Sequence, residues 1–317
     1  MPDPLVLAVD EIPFPDRGGM ASVCDLAFLP ADHFLEEARR HPQATGLIPL
    51  LEHRIDAAVL DGFPDLKIIA NYAVGYDNLD VAEAARRGIQ VTNTPDVLTD
   101  ATADLAWALL LAAARRVGEG DRTMRSGSFQ GWQPQLLLGM ELRGKKLGVV
   151  GAGRIGAAVA RRAPGFGMEV LYACRTRKPH LERDLSARFL SLDDLLGQAD
   201  VVTLHVPLTR ATHHLLDARR LGLMKPQAVL VNTSRGAVVD EAALADALRD
   251  GRLWGAGLDV YEEEPRVHPG LVECDRAVLL PHLGSATREA RRAMAAMAWV
   301  NVQAVLEGRE PPNPVRG

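Results

Sequence analysis

The sequence predicts an α/β protein of two domains, each built on a doubly wound parallel sheet. Three observations carry that expectation. Short apolar strands alternate with helical stretches along most of the chain. A glycine turn in G-x-G-x-x-G spacing, Gly151 to Gly156, sits where one such strand meets a helix. The length, 317 residues with 47% hydrophobic and 24% charged, is enough to bury two cores. A net charge of −5 and a pI near 6.0 argue against general nucleic-acid or membrane-surface binding. No apolar run approaches the ~18 residues of a membrane span, and the run Leu5–Val9 is too short and too poor in basic flanks for a signal peptide. Cys24, Cys174 and Cys274 lie far apart, odd in number and without zinc-type spacing. That pattern points to a reducing, cytoplasmic setting and to no metal site.

Residues 5–9, 57–60 and 67–71 read as short strands, with helical stretches at 31–40 and 81–88 and Gln90-Val-Thr-Asn following. They make a small parallel domain over residues 1–98. Thr99-Asp100 then caps a long helix over 101–116 whose middle, 105–114, is apolar nearly all round, as in a helix buried between layers. Residues 117–143 read as irregular, with Gly127, Gly131, Trp132, Pro134 and an exposed Leu136-Leu-Leu. An apolar excursion of this kind covers another subunit or folds back on its own domain. Dense alternation resumes with strands at 147–150, 168–173, 200–205, 228–232, 255–259 and 277–280. A last helix over 285–306, capped by Ser285 or Thr287 and ended by Pro311-Pro-Asn-Pro, closes the pattern. The expected domains are therefore 1–98 joined by 285–317, and 99–284 with an arm at about 117–143.

The turn lies in Lys146-Leu-Gly-Val-Val-Gly-Ala-Gly-Arg-Ile-Gly156. Gly151 allows the tight turn, Gly153 removes a side chain that would block phosphates, and Gly156 lets helix pack on strand. The helix N-terminus offers unpaired N–H groups to an anion. The next strand ends not in the acid that holds an NAD ribose but in Cys174-Arg175-Thr176-Arg177-Lys178. Arg175, Thr176 and Arg177 can hold a 2′-phosphate by charge-assisted hydrogen bonds, so NADP(H) is the expected cofactor and NAD(H) the second. The competing reading is a solvated basic loop.

Open parallel sheets bind ligands at the carboxyl ends of their strands. That rim collects His205, Asn232-Thr-Ser-Arg235, Asp259, Glu262-Glu-Glu264 and His282. Hydride transfer to a 2-keto acid needs a cation for the carboxylate and carbonyl, a proton donor, and a group that keeps the donor charged and aimed. Arg235 supplies the first in a planar fork. A histidine supplies the second and a neighbouring carboxylate the third. Glu264 and His282 have suitable loop positions, but His205 is a rival donor that spacing alone separates only weakly. Arg235 as a structural ion-pair partner and Glu264 as a solvated acid are the competing readings.

The chain resembles the D-isomer-specific 2-hydroxyacid dehydrogenases, and within them the glyoxylate/hydroxypyruvate reductase group. The stretches that carry the resemblance are Asn71-Tyr-Ala-Val-Gly-Tyr-Asp-Asn-Leu-Asp80, Val91-Thr-Asn-Thr-Pro-Asp-Val-Leu-Thr-Asp100, the glycine turn, His205-Val-Pro-Leu-Thr209, Leu223-Met-Lys-Pro226, Asn232-Thr-Ser-Arg-Gly-Ala-Val-Val-Asp240, Gly255-Ala-Gly-Leu-Asp-Val-Tyr-Glu-Glu-Glu-Pro265 and Pro281-His-Leu-Gly-Ser-Ala-Thr287. They run from about residue 67 onward, while the first 60 residues match loosely. The resemblance implies a Rossmann coenzyme domain inserted in a flavodoxin-like substrate domain. It implies Arg235, Glu264 and His282 as the catalytic trio. Asp259 would hold the nicotinamide carboxamide, and Thr102, Arg154, Ile155, Val206, Pro207, Thr212 and Thr233 would line the cofactor. Val74 and Gly75 would present N–H groups to the substrate carboxylate, with Leu50 and Ser285 bordering it. A homodimer through the coenzyme domain would bring Trp132 to the partner's site. The implied reaction is NADPH-dependent reduction of glyoxylate or hydroxypyruvate, with His282 as general acid. The alternatives are another dehydrogenase of the family, of phosphoglycerate or hydroxyisocaproate type, and a dinucleotide-sensing scaffold like the corepressors that share this fold.

Overall fold

A computed structural model describes residues 3–315. The chain divides into two compact units, Met1–Leu98 with Ser285–Gly317, and Thr99–Gly284. Residues 1, 2, 316 and 317 of the expected first domain lie outside the described residues. Among those described, no helix is long and apolar enough to cross a membrane.

The first unit is built on five strands: β1 (Leu5–Val9), β2 (Asp25–Leu29), β3 (Ala44–Ile48), β4 (Ile68–Ala70) and β5 (Gln90–Thr92). They are parallel and ordered β2-β1-β3-β4-β5, the doubly wound order of flavodoxin-like sheets. β1 and β4 are buried on both faces, so they read as continuous apolar runs rather than alternating ones. Each Val, Leu or Ile fully buried there contributes roughly 1.5–3 kcal/mol. The helix Arg288–Leu306 belongs to this unit, where the Tyr72 hydroxyl donates to Arg291 O at 2.7 Å. Thr287 is its N-cap, its Oγ1 accepting from Ala290 N, so of the two expected caps Thr287 is used.

Two expectations for this unit need correction. Residues 57–60 are not a strand but a helical turn, Ala57–Leu60. The Asp56 side chain accepts from Val59 N at 3.2 Å and starts the turn, and a four-residue apolar run carries no period that separates the two states. The helical stretch at 31–40 is a 3₁₀ turn, Ala31–His33, followed by the short helix Phe34–Ala38. β2 and β3 come in addition to the expected strands, because Asp25 and Thr45–Gly46 interrupt their apolar signal.

The second unit holds seven strands: β6 (Lys146–Val150), β7 (Glu169–Ala173), β8 (Arg188–Phe189), β9 (Val201–Leu204), β10 (Val229–Asn232), β11 (Gly255–Leu258) and β12 (Ala277–Leu279). All pair in parallel in the order β12-β11-β10-β9-β6-β7-β8. The order reverses between β6 and β9, the switch point where such sheets open a crevice for a dinucleotide. The long helix, Thr99–Ala114, lies against this sheet because β11 is small-sided. A Cβ on Gly257 would come within 2.8 Å of Leu109 Cβ. Trp107 Nε1 donates to Val159 O, fixing the same helix to the one that follows the glycine turn.

The arm also departs from expectation. Its first third is a helix, Val117–Arg125, held by Arg116–Glu119 and Arg125–Asp121 ion pairs and by Arg122 to Asp275. Gly118 and Gly120 hide it, since each glycine lowers helix propensity by about 1 kcal/mol against Ala. The remainder is irregular and apolar at its surface, with Trp132 84% exposed and Leu138 57% exposed.

Candidate active site

Three glycines shape the turn after β6, each by a different constraint. Gly151 has φ +91°, and a Cβ there would lie 2.5 Å from His205 O. A side chain is excluded by backbone angle and by space at once. Gly156 would place a Cβ 2.1 Å from Gly151 O, so only glycine lets the helix Arg154–Arg162 start so close to the strand. Gly153 faces open space, with nothing within 4 Å of its absent Cβ. The result is a bare backbone cradle at a helix N-terminus, in which Arg154 and Ile155 form the first helical residues.

At the end of β7 the basic residues differ in their engagement. Arg177 Nε donates to Glu182 Oε1 at 2.7 Å, and the Tyr172 hydroxyl donates to the same oxygen at 2.5 Å. Lys178 N in turn donates to the Tyr172 hydroxyl. Those bonds hold the Glu182 carboxyl below its usual range. Arg175 and Thr176 are exposed beside them, and the Cys174 thiol donates to Thr176 O.

The hydroxyls expected to line the cofactor divide the same way. Thr102 donates to Gly284 O and Thr212 to Pro207 O, so both tie loops together. Thr233 Oγ1 is buried with no hydrogen-bond partner among the described residues. A buried orphan of this kind costs about 1–3 kcal/mol, a cost that a ligand polar atom at Thr233 would remove; Thr92 and Thr94 Oγ1 are orphaned alike in the first unit. Together with the glycine cradle, the Thr233 hydroxyl shows that the residues present fit a dinucleotide.

The rim of β10, β11 and β12 carries the titratable groups. Asn232 builds the turn that displays Arg235: its Oδ1 accepts from Ser234 N and Oγ, and its Nδ2 donates to Arg235 O at 2.9 Å. Arg235 Nη1 donates to Ser234 O. Gly236 then lets the 261–265 loop press against this turn, since a Cβ there would lie 2.3 Å from Glu262 N. In that loop Glu264 uses both oxygens. Oε1 accepts from Tyr261 N at 3.0 Å, and Oε2 lies 2.9 Å from His282 Nδ1. Burial pushes the Glu264 carboxyl up, but the His282 hydrogen bond and charge, the Tyr261 N–H and the Arg235 charge outweigh it. The carboxyl ends below its usual range.

Asp259 anchors the histidine loop. It is 1% exposed, its Oδ1 accepts from Leu283 N and its Oδ2 from Gly284 N, and its carbonyl accepts from His282 N. These bonds hold His282 at φ +55°, a left-handed conformation unusual for a non-glycine residue. Burial raises the Asp259 carboxyl despite the two N–H groups. His205, the rival donor, is different. Its Nε2 meets the Thr203 hydroxyl at 2.8 Å, and burial pushes it down to about 3. It is neutral near pH 7, and its backbone walls the glycine turn together with the Val206 side chain.

Leu50, Val74, Gly75 and Ser285 all lie in the first unit. Leu50 follows β3, Val74 and Gly75 follow β4, and Ser285 opens the return of the chain. Asn71 Nδ2 donates to Gly75 O and Asn93 Nδ2 to Val74 O, so two asparagines set that loop. Neither asparagine carries a signal in the sequence that singles it out for this role. The same holds for a group formed by His213, His214 and Glu262, whose potential ligand atoms lie within 4.8 Å of one another.

The fold and this rim together define an NAD(P)-dependent oxidoreductase. Residues 107–284 match the family described as D-isomer specific 2-hydroxyacid dehydrogenase, NAD binding domain. The chain belongs to the D-isomer-specific 2-hydroxyacid dehydrogenases. A glyoxylate reductase of Thermococcus onnurineus is 54% identical over 270 residues, 84% of this chain and 81% of that one. Among solved structures, a protein of Thermus thermophilus is 50% identical, with TM-score 0.89 over 98% of this chain and all of the other. An NADPH-dependent glyoxylate/hydroxypyruvate reductase of Sinorhizobium meliloti, solved with NADP and malonate, is 35% identical. It superposes with TM-score 0.87 over 99% of this chain and 97% of its own.

Proposed function

We propose that this protein reduces glyoxylate or hydroxypyruvate to glycolate or D-glycerate, with NADP(H) preferred over NAD(H). The observation that carries the reading is the Glu264–His282 pair at 2.9 Å beside Arg235, on the carboxyl rim of a sheet with a glycine cradle at its switch point. The identity of the chain to glyoxylate reductases supports the substrate class.

When bound, the reduced nicotinamide supplies a hydride to C2 of the keto acid. Gly151, Gly153, Arg154, Ile155 and Gly156 hold the pyrophosphate, Thr233 and Asp259 face the nicotinamide end, and Val206, Pro207, Thr212 and Thr102 line the remainder. Arg235 grips the carboxylate and polarises the carbonyl. Because Glu264 takes the Nδ1 side of His282, Nε2 is the nitrogen that delivers the proton to the developing alkoxide.

Arg175 and Thr176 read the 2′-phosphate, while Arg177 contributes less because Glu182 already neutralises it. The exposed Trp132 with Phe129, Leu136 and Leu138 suits burial against a second copy, as a homodimer through the coenzyme unit in the cytoplasm. The test is oxidation of NADPH and of NADH with glyoxylate, hydroxypyruvate and pyruvate. We expect NADPH with one of the first two acids to give the highest kcat/KM. Equal kcat/KM for the two cofactors removes the NADP preference, and no turnover of any acid removes the reaction.

A further inference from the structure

We infer that His213, His214 and Glu262 form a zinc-class metal site that braces two loops of the coenzyme unit. The residues come from two separate segments. Consecutive residues of an extended chain point to opposite sides, yet the rings of His213 and His214 lie side by side, centroids 4.1 Å apart and 28° from parallel. The cause is local. His214 has φ +46°, and its N–H donates to Ala237 O while Leu216 N donates to Val238 O. A left-handed residue pinned at that point turns both imidazoles to one side. A non-glycine residue held there is strained, and strain of this kind gathers at functional positions.

Glu262 meets them from the 261–265 loop, its Oε1 lying 2.5 Å from His214 Nε2. Its backbone is fixed independently: Glu262 N donates to Glu241 Oε1 at 2.6 Å, and Glu241 is 6% exposed. The loop also presses on Gly236, where no side chain fits. All three potential ligand atoms lie within 4.8 Å of one another. Tetrahedral zinc with bonds of about 2.0–2.2 Å needs ligand atoms about 3.3–3.6 Å apart, so the His214–Glu262 pair opens from 2.5 Å while rotation of the exposed His213 side chain draws its ring nitrogen in.

Two imidazole nitrogens and one carboxylate oxygen select a borderline ion such as Zn²⁺ over the hard cations Mg²⁺ and Ca²⁺. Three protein ligands leave the fourth position to water. The bound ion replaces the His214–Glu262 hydrogen bond and ties the 206–216 segment to the loop that carries Glu264. This inference does not depend on which keto acid is reduced, because its readout is binding.

The experiment is titration of the metal-stripped, tag-free protein with ZnCl₂ by calorimetry, followed by melting curves with and without zinc. We expect one ion per chain at micromolar affinity and a Tm higher by roughly 3–8 °C in excess zinc. His213→Ala and Glu262→Gln should each weaken binding at least about tenfold and abolish the Tm rise, while melting like the wild type in chelator. MgCl₂ should produce neither signal. Absence of saturable zinc binding overturns the inference. So does undiminished binding in both variants, which would place the ion on other residues such as the three free cysteines.

Discussion

Two histidines stand on the same edge of the seven-stranded sheet with opposite surroundings. His205 ends β9, meets a threonine hydroxyl, and is driven down to about 3 by burial. His282 follows β12, stays partly exposed, and has the Glu264 carboxylate at 2.9 Å. Strand-end position makes both residues candidates. The partner separates them, because His282 Nδ1 meets a carboxylate whereas His205 Nε2 meets an uncharged hydroxyl.

The contrast is sharpest in turnover. His282→Ala should lower kcat by ~10²–10⁴, the usual share of general acid catalysis. His205→Asn, which keeps a polar side chain near Thr203, should cost less than about tenfold. Steady-state kinetics on both variants decides it, and a larger loss at residue 205 would reverse the assignment.

Arg235→Ala should raise KM and lower kcat together, with kcat/KM down by about 10²–10³, since an arginine fork touching carboxylate and carbonyl acts in both ground and transition states. Arg235→Lys should recover only part of this. A pure KM effect would reduce Arg235 to a binding residue.

Cofactor choice gives a smaller, graded effect. Arg175→Ala should lower kcat/KM for NADPH by ~10–100-fold while sparing NADH, the worth of one charge-assisted phosphate contact after solvent screening. Arg177→Ala should change it less than Arg175→Ala, because the Arg177 charge is already met by Glu182. Equal losses would mean that the ion pair opens when the phosphate binds.

The finest test is the pH profile of Glu264→Gln. The Glu264 carboxyl lies below its usual range, so its pairing with His282 is complete at neutral pH and is lost only as pH falls through that depressed value. Glu264→Gln removes that titration, so the acid limb of the kcat/KM profile for reduction should disappear. An unmoved limb would leave Glu264 as a purely steric support for the loop.

Much of this is legible in the residues. The seven strands of the coenzyme unit are visible except for the two-residue β8, because strands buried on both faces are written as uninterrupted apolar runs. The glycine turn is equally plain, since no other residue tolerates φ +91° with a carbonyl 2.5 Å from its Cβ. The helical turn at 57–60 reads wrongly as a strand, and the helix at 117–125 does not show. Their stability comes from the Asp56 cap and from ion pairs on the arm, which local hydrophobic pattern does not record. The bonds that Asn71 and Asn93 make to the 74–75 loop are likewise invisible in the unfolded chain.

Residue order alone is enough for the parallel α/β architecture, the dinucleotide cradle and the set of candidate polar residues. Those follow from periodicity and from backbone rules that act over a few neighbouring positions. It takes the folded chain to settle which histidine has a carboxylate, which arginine is already paired, and that His213, His214 and Glu262 converge. The first and last depend on side chains 18 and 48 residues apart meeting across strand ends, and the second on a turn that brings Arg177 onto Glu182 five residues on. Charge and burial at such meetings arise only once the strands have been brought together.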